Sequence, residues 1–231
     1  MAIQSIGEGV WIAEGYLNDK GMKFPLRMTI LRLDASNLMV ISPILPTQEM
    51  IQDIEGIGLV KYIVAPNCMH HKFVNKFAAA FPGAEIWGPK DLHDKRPDIS
   101  FTDVLDSHQV APWSAFVDMV SIHAKPPMFE EVIFFHKASK TVVVTDMLFN
   151  FHKFDSWFQA LIARINGGYK RLAMTRLGRV FFNDKESLHK AASRILTWNP
   201  ENLVVAHGDI VVGHAHNVLQ EPLAAFASTN S

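Results

Sequence analysis

Three stretches of the chain end an apolar run on residues that bind metals. "KYIVAP" (61–66) leads into Asn67, Cys68, Met69, His70 and His71; "TVVVT" (141–145) leads into Asp146; "NLVVA" (202–206) leads into His207, Gly208 and Asp209. Ligand and catalytic side chains gather in loops at the carboxyl ends of buried strands, because the strands fix them while the loops leave them open. A divalent zinc, iron or manganese ion takes about four N, O or S donors, drawn from distant chain segments. His70, His71, Asp146 and His207 supply such a set. Its chemistry would be polarisation of an ester, amide, thioester or phosphoester oxygen and a lowered pKa for a bound water. Asp146 is then the candidate catalytic residue, as ligand and as proton acceptor, with Asp209 a candidate supporting partner. Taken singly, an Asp after a strand is ordinarily a cap and a His-Gly pair a turn, so everything turns on convergence.

The elements that must position these residues read as follows. "GVWIAEGYL", "RMTILRLD" and "NLMVISPIL" are strand-length runs between Gly, Asp, Asn and Pro turn signals, which predicts an antiparallel opening sheet. "TQEMIQDIEGIG" starts on a Thr cap and stops at glycines, as a short helix does. Apolar or small residues at 73, 74, 77, 78 and 81 predict a helix over about 70–81, capped by Asn67, which puts His70 and His71 in its first turn and keeps them neutral. "AEIWG", "VDMVSIHAKP", "EEVIFFHKA", "KTVVVTDML" and "NLVVAHGD" read as strands, and "KDLHDKRPD" as an exposed charged segment. "SWFQALIARI" and "DKESLHKAASRILTW" read as helices. Two successive batches of strands and helices predict an α+β fold, an αββα sandwich of two mixed sheets packed face to face with helices outside. Nothing divides the chain, so one domain over 1–231 is expected, with a helical insertion at about 151–183.

Composition excludes several functions. The 231 residues are 48% hydrophobic, enough for a full core, and the formal charge of −1 gives no global field toward nucleic acid or a membrane. A single cysteine, Cys68, rules out an internal disulfide framework and any site built from several thiolates. No basic start precedes a long apolar run, and no stretch has the roughly 18 apolar residues of a membrane span. The expected location is cytoplasmic, and the expected partner a small molecule.

The three strand-end sites, in this order and context, resemble the metallo-β-lactamase fold superfamily over nearly the whole chain. That superfamily carries His-x-His-x-Asp-His after a strand, a lone His, a Gly-Asp after a strand and a final His; here the matching stretches are "PNCMHH", an unassigned segment, "VVTD" and "VVAHGD". Residue by residue, the signature's first two histidines fall on Pro66 and Cys68, its aspartate on His70, and only His71 keeps its type. The resemblance therefore implies a dismantled first metal site and a retained second one on His70, His71, Asp146 and His207, suited to a single ion, zinc ahead of iron. The lone histidine maps near Pro127, with His123 four residues earlier. "RMTILRL", "SPI", "APN" with "HH", "KRPD" and "TDMLFN" also resemble a side branch of that superfamily catalogued as a domain of unknown function. The Ser42–Pro43 turn, where the superfamily has a supporting aspartate, implies a rebuilt support for the site.

Two functions follow from different classes: a divergent metal-dependent hydrolase, or a ligand-binding or scaffolding protein that keeps the sandwich without turnover. Iron-centred redox chemistry is a third reading of a His-rich site. Arg164, Lys170, Arg171, Arg176 and Arg179 lie in 162–182 without an acidic residue, which points to an anionic substrate or to a solvated face. Cys68 reads as a small buried thiol, and His214 and His216 as a polar turn ahead of a metal pair.

Overall fold

A computed structural model describes residues 2–19, 22–125, 129–154 and 156–227. The chain forms two compact units, Met1–Asp118 with His136–Ser139, and Met119–Phe135 with Lys140–Ser231.

The first unit is built on one mixed sheet. Its strands are β1 (Gln4–Gly7), β2 (Val10–Asp19), β3 (Met22–Arg32) and β4 (Asn37–Ile41), then, after helix α1 (Gln48–Ile57), β5 (Leu59–Val64). Helix α2 (Val74–Ala80), β6 (Glu85–Gly88), α3 (Lys90–Lys95) and β7 (Asp103–Val104) follow. Strand order equals chain order. The expected antiparallel opening is present from β1 to β4, and β4 to β7 then run parallel because helical crossovers return the chain to the same end. Thr47 caps α1 as expected, its hydroxyl accepting from Met50 N at 3.2 Å. Tyr62, Trp87 and Trp113 interlock edge to face at 4.8–6.5 Å, which fixes β5 against β6 at the end from which the candidate loop departs.

In the second unit β8 (Val117–His123), β9 (Glu130–His136), β10 (Thr141–Val144) and, much later, β13 (Asn202–Val205) make a four-stranded sheet in the order β13-β10-β9-β8. Between β10 and β13 lie β11 (Phe149–Asn150), α4 (Trp157–Ile165), β12 (Leu172–Ala173), α5 (Arg176–Phe181) and α6 (Lys185–Thr197); α7 (Ala215–Ala227) follows. β10 and β13 pair in parallel, Val144 opposite Val205, so both of their carboxyl ends open on the same edge. β13 is buried at Leu203, Val204 and Val205, and its neighbours α6 and α7 supply Ala192, Ile195, Leu219 and Leu223 to the same core.

Several expected elements differ. The helix predicted from His70 begins only at Val74, because Asn67 caps a turn instead. The "charged segment" after β6 is helix α3, made amphipathic by buried Leu92. His216 lies in α7 and its ring meets Gln220 of the same helix, while His214 turns back on the Val212 carbonyl, and among the described residues neither belongs to a group of three or more metal donors.

Candidate metal centre

The turn after β5 is set by one side chain. Asn67 is buried and its Oδ1 accepts from Met69 N at 2.8 Å and His70 N at 2.9 Å. This Asx turn bends the backbone off the helix axis and swings His70 inward. The imidazole is buried, with Nδ1 2.7 Å from Ser42 Oγ. Ser42 adopts φ 55°, a left-handed conformation that costs a non-glycine residue free energy, and its N–H donates to the Val64 carbonyl at 2.9 Å. A hydroxyl that accepts from Nδ1–H leaves the ring's lone pair on Nε2, the arrangement a metal-ligating histidine uses. The rebuilt support expected at the Ser42–Pro43 turn is therefore this hydroxyl.

His71 goes elsewhere. Its Nδ1 lies 2.6 Å from Arg96 Nη1, and Arg96 is clamped to Asp98 by two further bonds of 2.6 Å. A guanidinium only donates, so Nδ1 must accept and the proton resides on Nε2, which cannot then coordinate a cation. Nε2 is buried with no hydrogen-bond partner among the described residues. Burial first, then the charges of Arg96, Lys95 and Lys72, lower its pKa to about 4. His71 is thus neutral, as expected, but for a different reason than a helix dipole, and it stands outside the ligand group. Cys68 is a buried free thiol pushed up in pKa, by burial first and the Asp91 charge next. That suits packing rather than nucleophilic attack.

In the second unit, Asp146 follows β10. Glu131 of β9 is fully buried, and its two carboxylate oxygens accept from Thr145 N at 2.7 Å and Asp146 N at 2.9 Å. Burial, and then the Asp146 charge, push the Glu131 pKa up, while the two N–H donors pull it back. Sequence alone does not mark Glu131, since "EEVIFF" looks like a strand with acids at its wet end.

His207 follows β13, with its ring stacked on Phe149 at 5.4 Å and 10°. Asn150 fixes the backbone around it: its N–H donates to the His207 carbonyl at 3.1 Å, its carbonyl accepts from Asp209 N at 2.8 Å, and its Nδ2 donates to the Asp209 carbonyl at 2.7 Å. Asp209 itself is exposed and is engaged here through its backbone. His207 Nε2 lies 3.5 Å from Asp146 Oδ1. That is long for a hydrogen bond but close to the separation of two donors bound at about 2 Å to one tetrahedral ion.

His70, Asp146 and His207 each offer one donor atom within 4.8 Å of the others. Two imidazoles and a carboxylate are a donor set that zinc and iron accept. No second cluster of this kind, with Cys68 or His123, occurs among the described residues. Pro127 lies outside the described residues.

The family model described as a domain of unknown function (DUF4336) matches residues 8–161. No curated protein matches the chain. Among solved structures, the DIM-1 metallo-β-lactamase is 12% identical with a TM-score of 0.65, covering 100% of this chain and 97% of that one. A metallo-β-lactamase from Pontibacter korlensis is 14% identical, TM-score 0.61, with 99% of each chain covered. The metallo-β-lactamase FIM-1 from Pseudomonas aeruginosa, in its mono-zinc form, is 14% identical, TM-score 0.62, covering 98% and 94%. Likeness at this identity is a likeness of fold.

Proposed function

Since the chain belongs to the DUF4336 family of domains of unknown function and has the metallo-β-lactamase fold, we propose that it is a divergent hydrolase using one divalent metal, zinc in preference to iron, held by His70, Asp146 and His207. The observation that carries this reading is the gathering of those three donors from segments 76 and 61 residues apart. A metal there would supply a water of lowered pKa and a Lewis acid for a carbonyl or phosphoryl oxygen. The chain's own residues do the rest. Ser42 Oγ holds the His70 ring at Nδ1, Glu131 holds the Asp146 backbone, and Phe149 with Asn150 fixes His207. Asp146 is the candidate proton acceptor for an attacking water. A single-metal state has a precedent of form in the mono-zinc structure of FIM-1. The substrate is a small molecule, anionic if the basic residues of 162–182 serve it, and the location cytoplasmic.

His71, turned to Arg96, favours a second reading, a scaffold that retains the fold without turnover. Metal analysis of the full chain purified without chelator or added metal separates the two. About one ion per chain is expected, falling sharply in His70→Ala and His207→Ala, together with metal-dependent thermal stabilisation that both variants lose. Less than about a tenth of an ion per chain, with stability unchanged in both variants, would sink the hydrolase.

A further inference from the structure

Helices α4 and α5 carry their apolar faces outward. In α4, Trp157, Phe158, Leu161, Ile162 and Ile165 recur at i, i+1, i+4, i+5 and i+8, one stripe of the helix, and all five are exposed, Trp157 by 78% and Ile165 by 58%. α4 buries none of its residues. In α5, Leu177, Val180 and Phe181 repeat the pattern at i, i+3 and i+4, with Val180 70% exposed. A surface helix ordinarily turns such a stripe to the core. Eight large apolar side chains exposed within 25 residues mark an interaction surface rather than the scattered exposure every protein has.

The surface is formed before anything covers it. Ser156 and Thr175 cap the two helices, accepting from Gln159 N at 3.2 Å and Gly178 N at 3.0 Å. Arg176 N donates to the Asn166 carbonyl at 2.9 Å, tying the start of α5 to the end of α4, and β11 pairs with β12 beneath.

Charge identifies the occupant. Six of the chain's 22 basic residues and one of its 23 acidic ones lie in 151–182, so the segment carries +5 and the remaining residues −6. Lys153, Arg164, Lys170, Arg171, Arg176 and Arg179 are all exposed. Two copies of the chain meeting on this face would bring like charges together. A small substrate has no use for apolar surface spread over two helices. Apolar stripes led by Trp and Phe and bordered by long cations match an anionic lipid surface, where aromatic rings sit at headgroup depth and Lys and Arg reach the phosphates.

We infer that the α4–α5 segment is a peripheral membrane contact that seats on anionic lipid headgroups, with Trp157, Phe158 and Ile165 entering the interface. The whole-chain charge, from which no membrane partner is expected, does not register this local asymmetry.

The test is co-sedimentation of the full chain with vesicles of equal parts phosphatidylglycerol and phosphatidylcholine, and with pure phosphatidylcholine. Partition onto the anionic vesicles is expected to exceed that onto neutral ones by at least about tenfold, and to weaken as salt is raised. Tryptophan emission shifts to the blue on binding, and Trp157→Phe removes the shift. Trp157→Ser with Ile165→Ser, and separately Lys170→Ala with Arg176→Ala, each lower partition by about tenfold or more. These residues are exposed, so the variants should fold; if the apolar pair fails to, the basic pair decides. Equal partition onto both vesicles, variants that bind like the unaltered chain, or a dimer in vesicle-free solution that Trp157→Ser dissociates would overturn the inference, the last in favour of a second copy.

Discussion

A carboxylate with no exposed surface loses its hydration and must recover it from donors that point at it. Glu131 recovers it from two backbone N–H groups, and both belong to the segment that presents Asp146. The side chain is therefore a clamp on the loop rather than a charge looking for a cation. Glu131→Gln keeps the volume but turns an NH2 group toward one of those donors, so one bond is lost and two donors face each other. Metal affinity, read by competition with a chromogenic chelator, should fall about 10- to 100-fold, as it does when the groups supporting a ligand are removed. Amide exchange at Thr145 and Asp146 should accelerate in the same variant even without metal. Affinity within about twofold of the unaltered chain, with unchanged exchange, would remove the clamp. At this scale the sequence was informative where residue type carries the chemistry. His70, Asp146 and His207 stand out because imidazole and carboxylate close apolar runs. Glu131 and the diversion of His71 to Arg96 were illegible, because each depends on which neighbour a side chain faces, Arg96 being 25 residues from its partner.

Turns decide where the elements deliver these side chains. After β13 the chain must reverse at Gly208, whose φ of 103° lies in the region glycine alone occupies easily, and a Cβ there would stand 2.2 Å from the Asn150 carbonyl oxygen. Gly208→Ala should therefore cost about 1–3 kcal/mol in urea unfolding and loosen metal binding through His207, because β11 can no longer lie against the turn. Gly56 is the matching control. It sits inside α1 at ordinary φ, and a Cβ added there would meet nothing within 4 Å, so Gly56→Ala should stabilise by about 0.5–1 kcal/mol. Equal effects of the two substitutions would mean that the turn is not under this constraint. The same logic explains what periodicity could and could not show. Thr47 and α1 were readable because cap and apolar stripe coincide. The start of α2 was not, since apolar spacing is silent on an asparagine side chain that captures the backbone first. α7 is not legible in "VVGHAHN", whose histidines read as a polar turn, because the helix is defined by Leu219 and Leu223 burying on α6 and β13.

Over the whole molecule, sums conceal arrangement: a net charge of −1 contains the +5 segment, and eleven histidines contain two whose burial sets how stability responds to acid. His136 is buried, with Nε2 2.8 Å from the Arg32 carbonyl and Nδ1 2.7 Å from Ser139 Oγ; burial lowers its pKa, and the Arg32 carbonyl only partly restores it. His71 is lowered to about 4. For both, the unfolded chain near pKa 6.5 takes the proton more readily than the folded one. Their contribution to stability is therefore complete above about pH 6.5 and is lost as pH falls toward the folded values. Glu131 acts in the opposite sense, since its raised pKa makes the folded state the better proton binder, and its contribution declines as pH rises above the ordinary carboxylate range. Two imidazoles against one carboxyl make stability rise with pH between about pH 5 and 6.5. Urea midpoints measured in excess chelator, so that metal and protons do not compete for His70 and His207, should accordingly fall from about pH 7 to pH 5. His136→Gln, whose amide can still donate to the Arg32 carbonyl, should remove most of that fall, because His71 then stands alone against Glu131, while leaving the midpoint at neutral pH little changed. A midpoint that holds level or rises on acidification would mean that the Glu131 carboxyl, rather than the buried imidazoles, governs the proton balance of the fold.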